Sequence, residues 1–253
     1  MNDAIANLWE FYEKVGRIGH NTFRKCDSWS YVKAPMGCWP SLVFNLVPDD
    51  DREKLLYQLT GAVEHDGLPN MFIAPPGLFG PGHQPLLRRY RFFPVDKWTL
   101  MERTNEEAAP ELSYAERGPV CRIIIPSDLY QFSEILNSVL FRNQPADARM
   151  LEVLARLDGF SFRGFKEGNE MVSGLLTFTF HQVTGLYMVV TKKEKQNRGI
   201  GSSLVSGTIR EITSGGKSKI VLQSSLSAVP FYKRMGFTVT GELYIYRYFA
   251  NNG

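Results

Sequence analysis

The stretch Tyr187–Leu204, YMVVTKKEKQNRGIGSSL, sets a β-branched run against a glycine-bearing turn and then an amphipathic segment. A strand that ends in Gln196-Asn197-Arg198-Gly199-Ile200-Gly201 and passes straight into a helix aims several backbone N–H groups at one spot. That spot suits a pyrophosphate. Gly199 and Gly201 let the backbone approach a phosphate with no side chain in between, and Lys192, Lys193, Lys195 and Arg198 add positive charge. The dinucleotide fingerprint needs a third glycine, and the P-loop needs a lysine after its last glycine, where Ser202-Ser203 stand here. Taken alone, the segment also reads as a plain strand-to-helix turn.

A second stretch, Ser224–Phe237 (SSLSAVPFYKRMGF), carries Ala228, Phe231-Tyr232 and Gly236-Phe237, with Gly236 placed to stop a helix. The two stretches lie about 30 residues apart, with a helix and a strand between them. Together they resemble the GNAT N-acetyltransferase family. In that family a [Gln/Arg]-x-x-Gly-x-[Gly/Ala] turn after an antiparallel strand takes the CoA pyrophosphate, and a Phe-Tyr helix ending at Gly-Phe forms the second CoA-binding segment. The resemblance covers Val120 to about Tyr248.

The resemblance implies a mixed-sheet α/β fold, acetyl-CoA as co-substrate, no metal, and direct transfer of acetyl to a primary amine in a ternary complex. It lays the pantetheine arm along Val189, Val190 and Thr191. It sets the pyrophosphate on the amides of Gln196, Asn197, Arg198, Gly199, Ile200, Gly201 and Ser202. Ser225 stands where many members carry asparagine, Lys193 where many carry proline, Phe231 packs, and Tyr232 matches the acid that protonates the departing CoA thiolate, packing alone being the other reading. Lys233 or Arg234 reaches a 3′-phosphate or simply faces water. No cysteine lies in either stretch, which argues against a covalent thioester route. Glu242 is the nearest carboxylate for a general base, an ordinary surface acid being the other reading, and His181 sits in a turn too far from Val189. The rival to catalysis is a module that keeps CoA as a ligand or signal.

Elements that would position these groups follow from periodicity. Val120–Ile125 reads as a strand, Asp128–Leu140 as a helix with Ser127 at its N-cap, and Ala146–Leu157 as a second helix. Phe160–Phe165, Met171–Phe180 and Gly185–Thr191 read as strands. A helix at Ile200–Thr213, a strand at Lys219–Gln223, a helix at Ala228–Met235 and a strand at Phe237–Tyr248 complete the half. Thr104–Pro119 is polar, holds two prolines and lacks periodicity; it divides the chain into residues 1–115, a second, smaller α/β domain, and residues 116–253, the GNAT-like domain.

The first half has amphipathic helices at Ala4–Val15 and Arg52–Glu64, the latter after the acidic start Pro48–Asp51. Ser41–Leu46, Pro69–Ala74 and Val95–Arg103 read as strands, Pro75–Pro85 as a loop and Pro85–Tyr90 as a short helix. Laying Pro85–Met101 over Val229–Ile245, with Phe93 under Phe237, gives a faint internal repeat in which Arg88 replaces Tyr232 and acids replace the phosphate turn. The first half is then a degenerate GNAT-like unit that cannot hold CoA and walls the acceptor pocket or forms a dimer surface; an unrelated α/β cap is the alternative. Trp29, Tyr31, Trp39 and the Pro75–Pro85 loop either line an acceptor site or belong to the core. Arg88, Arg89 and Arg91 attract an acidic acceptor or face solvent.

The whole chain has 253 residues, 43% of them hydrophobic, and a net charge of +3, too small to argue for nucleic acid. Its apolar runs are too short to span a bilayer, no secretory leader is visible, and three cysteines without metal-like spacing read as reduced thiols. A cytoplasmic enzyme acting on a small-molecule or peptide amine is expected, with the number of copies open, a homodimer included.

Overall fold

The computed structural model of the chain describes residues 2–47, 51–104, 120–123, 125–216 and 219–250. The linker at Thr104–Pro119 therefore lies outside the described residues from 105 onward, and Pro48–Asp50 of the acidic helix start also lie outside them.

Helix α1 (Asp3–Gly16) begins at Asn2, whose side chain accepts from the Ala4 amide. Strands β1 (Thr22–Lys25), β2 (Ser30–Lys33) and β3 (Ser41–Phe44) follow, then α2 (Arg52–His65), β4 (Met71–Ala74), α3 (Gln84–Arg89) and β5 (Phe92–Thr104). The second half runs β6 (Val120–Arg122), α4 (Pro126–Val139), α5 (Ala148–Leu154), β7 (Phe160–Glu167), β8 (Glu170–Phe180) and β9 (Val183–Thr191). It ends with α6 (Ile200–Ser214), β10 (Lys219–Ser225), α7 (Val229–Arg234) and β11 (Thr238–Tyr248). The mixed α/β class is as expected. Helix α4 starts two residues earlier than the Ser127 cap implies: Pro126 occupies its first turn, and the preceding Ile125 makes no side-chain cap. Among the described residues no helix is long and apolar enough to cross a membrane.

All the strands join one sheet in the order β1-β2-β3-β4-β11-β5-β10-β9-β8-β7-β6. The pairing senses repeat. β1-β2 and β2-β3 are antiparallel, β3-β4 parallel and β4-β11 antiparallel; β7-β8, β8-β9, β9-β10 and β10-β5 follow the same pattern. Each half thus completes its sheet with the last strand of the other, and the two exchanged strands pair with each other.

The repeat expected from sequence is present in element order, with its register moved by one residue. Helix α3 is followed by Tyr90 and then Arg91 at φ 60°; α7 is followed by Met235 and then Gly236 at φ 81°. Arg91 therefore stands for Gly236, and buried Phe92, not half-exposed Phe93, stands for Phe237. Leu87, fully buried, takes the place of Tyr232 where Arg88 was expected; Arg88 is exposed.

Two faces cover the sheet. On one, α1, α4 and α5 pack Leu8, Phe11, Phe132 and Leu151 against Tyr187, Val190, Val221 and Leu100. On the other, α6 and α7 pack Leu204, Val205 and Tyr232 against Leu186, Leu222 and Met101. Asn7 ties α1 to the second half. Its Nδ2 donates to the carbonyls of Phe178 (3.4 Å) and Val183 (3.2 Å), and its Oδ1 accepts from the Tyr187 hydroxyl (2.6 Å).

Candidate active site

The parallel pairing of β9 with β10 runs from Val183↔Lys219 to Leu186↔Leu222 and stops there, although both strands continue. Beyond that point β9 keeps only β8 as a partner, and β10 keeps only β5. The strands part, and among the described residues the inner edge of β9 from Tyr187 onward has no strand beside it. A bulge deepens the break. The register passes from Tyr187↔Leu176 to Val190↔Gly174, one residue more on β9 than on β8, with Met188 at φ 53°. Positive φ at a non-glycine residue costs free energy and marks a backbone held for a purpose.

The gap opens a cavity of about 340 Å³ that reaches through the sheet between its two helical faces. Val189, Ser225 and Tyr232, expected from sequence, line it. Val190 and Thr191 do not: the Val190 side chain is buried, and the Thr191 hydroxyl bonds the Ser173 hydroxyl at 2.8 Å. Their backbone continues the same strand edge toward the glycine turn. Phe231 lies outside the cavity and meets the Tyr232 ring edge-on, with centroids 5.0 Å apart; Phe237 does the same from 5.8 Å. These contacts fix the phenol. Tyr232 is nearly buried, and that burial raises its pKa far above the ordinary phenol value, so it stays protonated. Its hydroxyl has no hydrogen-bond partner among the described residues. An unpaired donor facing a cavity is a place prepared for an acceptor atom.

The glycine turn sits at the far end of the strand edge. Asn197 and Gly199 take positive φ (60° and 77°), and Gly199 precedes α6 with no side chain to cap it. The amides of the first turn are left to an outside acceptor. Gln196, Asn197 and Arg198 are exposed, Gln196 donates to the Thr191 carbonyl at 3.0 Å, and Ile200 is buried against Phe165 and Val172. Gly201 faces Thr191: a Cβ there would lie 3.3 Å from the Thr191 Oγ1. Ser202 is half-buried in the first turn of α6. Two of the nearby lysines are engaged, Lys192 by Glu170 and Lys195 by Glu167, so the turn is less positive than its composition suggests. The geometry fits an extended ligand with a diphosphate at the turn, an arm along β9 and a reactive end beside Tyr232.

Residues 140–248 match the family model of the acetyltransferase (GNAT) domain. No curated protein matches the sequence. Among solved structures, a GCN5-related N-acetyltransferase from Kribbella flavida superposes over 99% of this chain and 98% of its own, with TM-score 0.72 at 12% identity. The fold is the GNAT fold. A second GCN5-related N-acetyltransferase, from Sphaerobacter thermophilus, matches over 87% of this chain and 80% of its own (TM-score 0.64, 13% identity). A protein of unknown function from Staphylococcus epidermidis matches over 92% and 98% (TM-score 0.67, 12% identity). Both halves are therefore found together in other GNAT-fold proteins.

Other candidates fall away from this site. Glu242 is bound by Lys97 (2.8 Å) and the Tyr244 hydroxyl (3.0 Å), contacts that hold its carboxyl below the usual range, and it does not line the cavity. His181 occupies the β8–β9 turn at φ 53°, against Phe180. Trp39 lines the cavity, whereas Trp29 and Tyr31 pack toward α2 in the first half, together with Leu78 and Phe79 of the Pro75–Pro85 loop. Arg89 and Arg91 pair with Glu53 and Glu64 of α2. In the first half Asp51 caps α2, its carboxylate accepting from the Lys54 amide at 2.9 Å, so a built-in acid occupies the helix end where a phosphate would sit.

One lining residue escaped the sequence reading. Asp96, on β5, reaches the cavity from the first half. Its carboxylate accepts from the Trp98 Nε1 at 3.0 Å and from the Lys97 amide at 2.8 Å. The alternation Asp96-x-Trp98-x-Leu100 carried the signal, since it puts all three on one sheet face.

Proposed function

We propose that the protein is an acetyl-CoA-dependent N-acetyltransferase that transfers acetyl to a primary amine by direct attack in a ternary complex. The observation that carries the reading is the protonated Tyr232 hydroxyl, unpartnered among the described residues and facing the gap between β9 and β10, together with the uncapped helix end after Gly199. The Gln196–Ser202 turn holds the pyrophosphate through backbone amides, and the free edge of β9 at Val189–Thr191 pairs with the pantetheine amides. The amine, having lost one proton to water at the cavity mouth, attacks the thioester carbon. The C–N bond forms, the C–S bond breaks, and Tyr232 gives its proton to the leaving sulfur. The second proton leaves the nitrogen and restores the phenol through water. No cysteine is among the cavity-lining residues, in keeping with transfer that bypasses a covalent enzyme intermediate.

The test is calorimetric titration of acetyl-CoA into wild type and Gly201→Glu. Micromolar binding that disappears in the variant supports the assignment, with Gly201→Ala as the control for crowding of Thr191. Equal binding to Gly201→Glu, or none to wild type, refutes it.

A further inference from the structure

We propose that the amine acceptor is a monoamine with a flat apolar body, an aromatic or otherwise planar hydrocarbon group on a short arm, entering past Asp96; this rests on the acetyltransferase reading above. The acceptor side of the cavity, under α1, is walled by Phe11, Tyr12, Trp39, Trp98, Phe141 and Tyr187. These rings already order one another. Phe11 stacks on Tyr187 with centroids 4.0 Å apart and planes 7° from parallel, and Trp39 stacks on Phe141 at 5.2 Å. A surface of this kind rewards burial of a ring and offers a hydroxyl-rich body nothing in exchange for its lost water.

The polar atoms confirm this by how they are spent. The Gln223 Nε2 donates to the Ala4 carbonyl, the Ser224 hydroxyl to the Ser225 carbonyl, and the Ser225 hydroxyl pairs with Ser227. Of the lining hydroxyls only two have no partner among the described residues: Tyr232, assigned to the leaving sulfur, and Tyr12, buried at 4% exposure on the opposite wall. An aminosugar or an aminoglycoside would bury several hydroxyls against these rings without hydrogen bonds.

Charge narrows the class further. Among the described lining residues Asp96 is the one charged side chain. It is exposed, stands on the same sheet face as Trp98, and is held in place by the Trp98 indole. One carboxylate at the mouth matches one ammonium. A polyamine would leave its further ammonium groups unpaired in an apolar chamber. Asp96 thus draws in the amine and orients it, and the rings set what it is attached to.

The experiment uses the full chain with acetyl-CoA, following thiol release with 2-phenylethylamine, tryptamine, glucosamine, spermidine and glycine, and acetyl-CoA affinity by calorimetry in parallel. The expected result is kcat/KM at least about ten-fold higher for the ring-bearing monoamines. Asp96→Asn and Trp98→Phe are expected to raise the amine KM about ten-fold while leaving the acetyl-CoA affinity and the folded fraction unchanged. Trp98→Phe keeps the ring and loses the indole bond to Asp96, so it separates positioning from packing. Acetyl-CoA binding combined with a preference for glucosamine or spermidine overturns this inference alone. So does a preference for a benzoyl over an acetyl thioester with glycine as acceptor, which would give the rings to the acyl group. Absence of acetyl-CoA binding overturns the acetyltransferase reading, and this inference with it.

Discussion

Replacing Tyr232 by phenylalanine separates the chemistry of the phenol from its packing. The ring is held edge-on between Phe231 and Phe237, and the variant keeps that ring and both contacts. The hydroxyl has no partner among the described residues to lose, so its removal leaves no buried group of theirs unsatisfied, and stability should stay within about 1 kcal/mol of wild type in urea unfolding. Acetyl-CoA affinity should hold within about two-fold, because the diphosphate turn and the β9 edge are untouched. Turnover is another matter. A preorganised donor to charge that develops only in the transition state is worth about 10²–10³-fold, or about 3–4 kcal/mol. The assay is steady-state thiol release with a saturating amine, in which kcat should fall by that factor with little change in the acetyl-CoA KM. Burial raises the Tyr232 pKa, so the proton donor is present throughout the neutral and mildly alkaline range. The wild-type rate should show no loss from phenol ionisation below about pH 10. An unchanged kcat in Tyr232→Phe, with acetyl-CoA still bound, would refute the assignment and favour a protein that holds CoA without using it.

Three further outcomes test the fold around the site. Asp51→Ala should cost about 1 kcal/mol through loss of the α2 cap and leave acetyl-CoA affinity unchanged; weaker CoA binding would place the ligand in the wrong half. Burial raises the pKa values of Tyr12, Tyr187 and Tyr232, so their contribution is intact below the unfolded phenol value of about 10 and is lost as pH climbs above it. Urea midpoints should therefore fall from about pH 10 upward, more gently in Tyr12→Phe, and a flat profile would contradict the burial of these phenols. Residues 116–253 expressed alone should fail to fold or aggregate, with co-expression of residues 1–115 restoring solubility; a monomeric, acetyl-CoA-binding fragment would refute the dependence on the exchanged strand.

The second half was readable because its signals are local. The β-branched run of β9, the glycine turn and the apolar period of α6 lie in one continuous stretch, and each needs only its neighbours to form. β1 and β2 went unseen because Thr22–Lys25 and Ser30–Lys33 are four-residue strands, the first without a buried side chain. The register of the internal repeat slipped by one because Arg91 takes a conformation that the sequence advertises only through glycine. Ser127 looked like a cap, and Pro126 made one unnecessary. For Asp96 the alternation with Trp98 and Leu100 gives a shared sheet face but names no ligand. Nothing near it in the chain bears on CoA, and it becomes a cavity residue only because β5 crosses to pair with β10.

That crossing changes what the halves can be to each other. β10 needs β5 on its open side from Ser225↔Trp98 to Lys219↔Thr104, since beyond Leu222 it has already released β9 to make the gap. A strand freed on both sides would not hold Ser224 and Ser225 in place, so the exchange is what lets the sheet part and remain rigid. The same strand brings Asp96 and Trp98 to the mouth, while α1, tied by Asn7 to the β8–β9 hairpin, roofs the chamber with Phe11 and Tyr12. The first half has Asp51 at the matching helix end and Leu87 at the position that matches Tyr232. It repeats the strand and helix order of the second half, and what it brings to the cavity is Leu8, Phe11, Tyr12, Trp39, Asp96 and Trp98, along with the strand β5 beside β10. Removing the first half would therefore take β5 away from β10 and leave only Phe141 and Tyr187 of the six rings that wall the chamber.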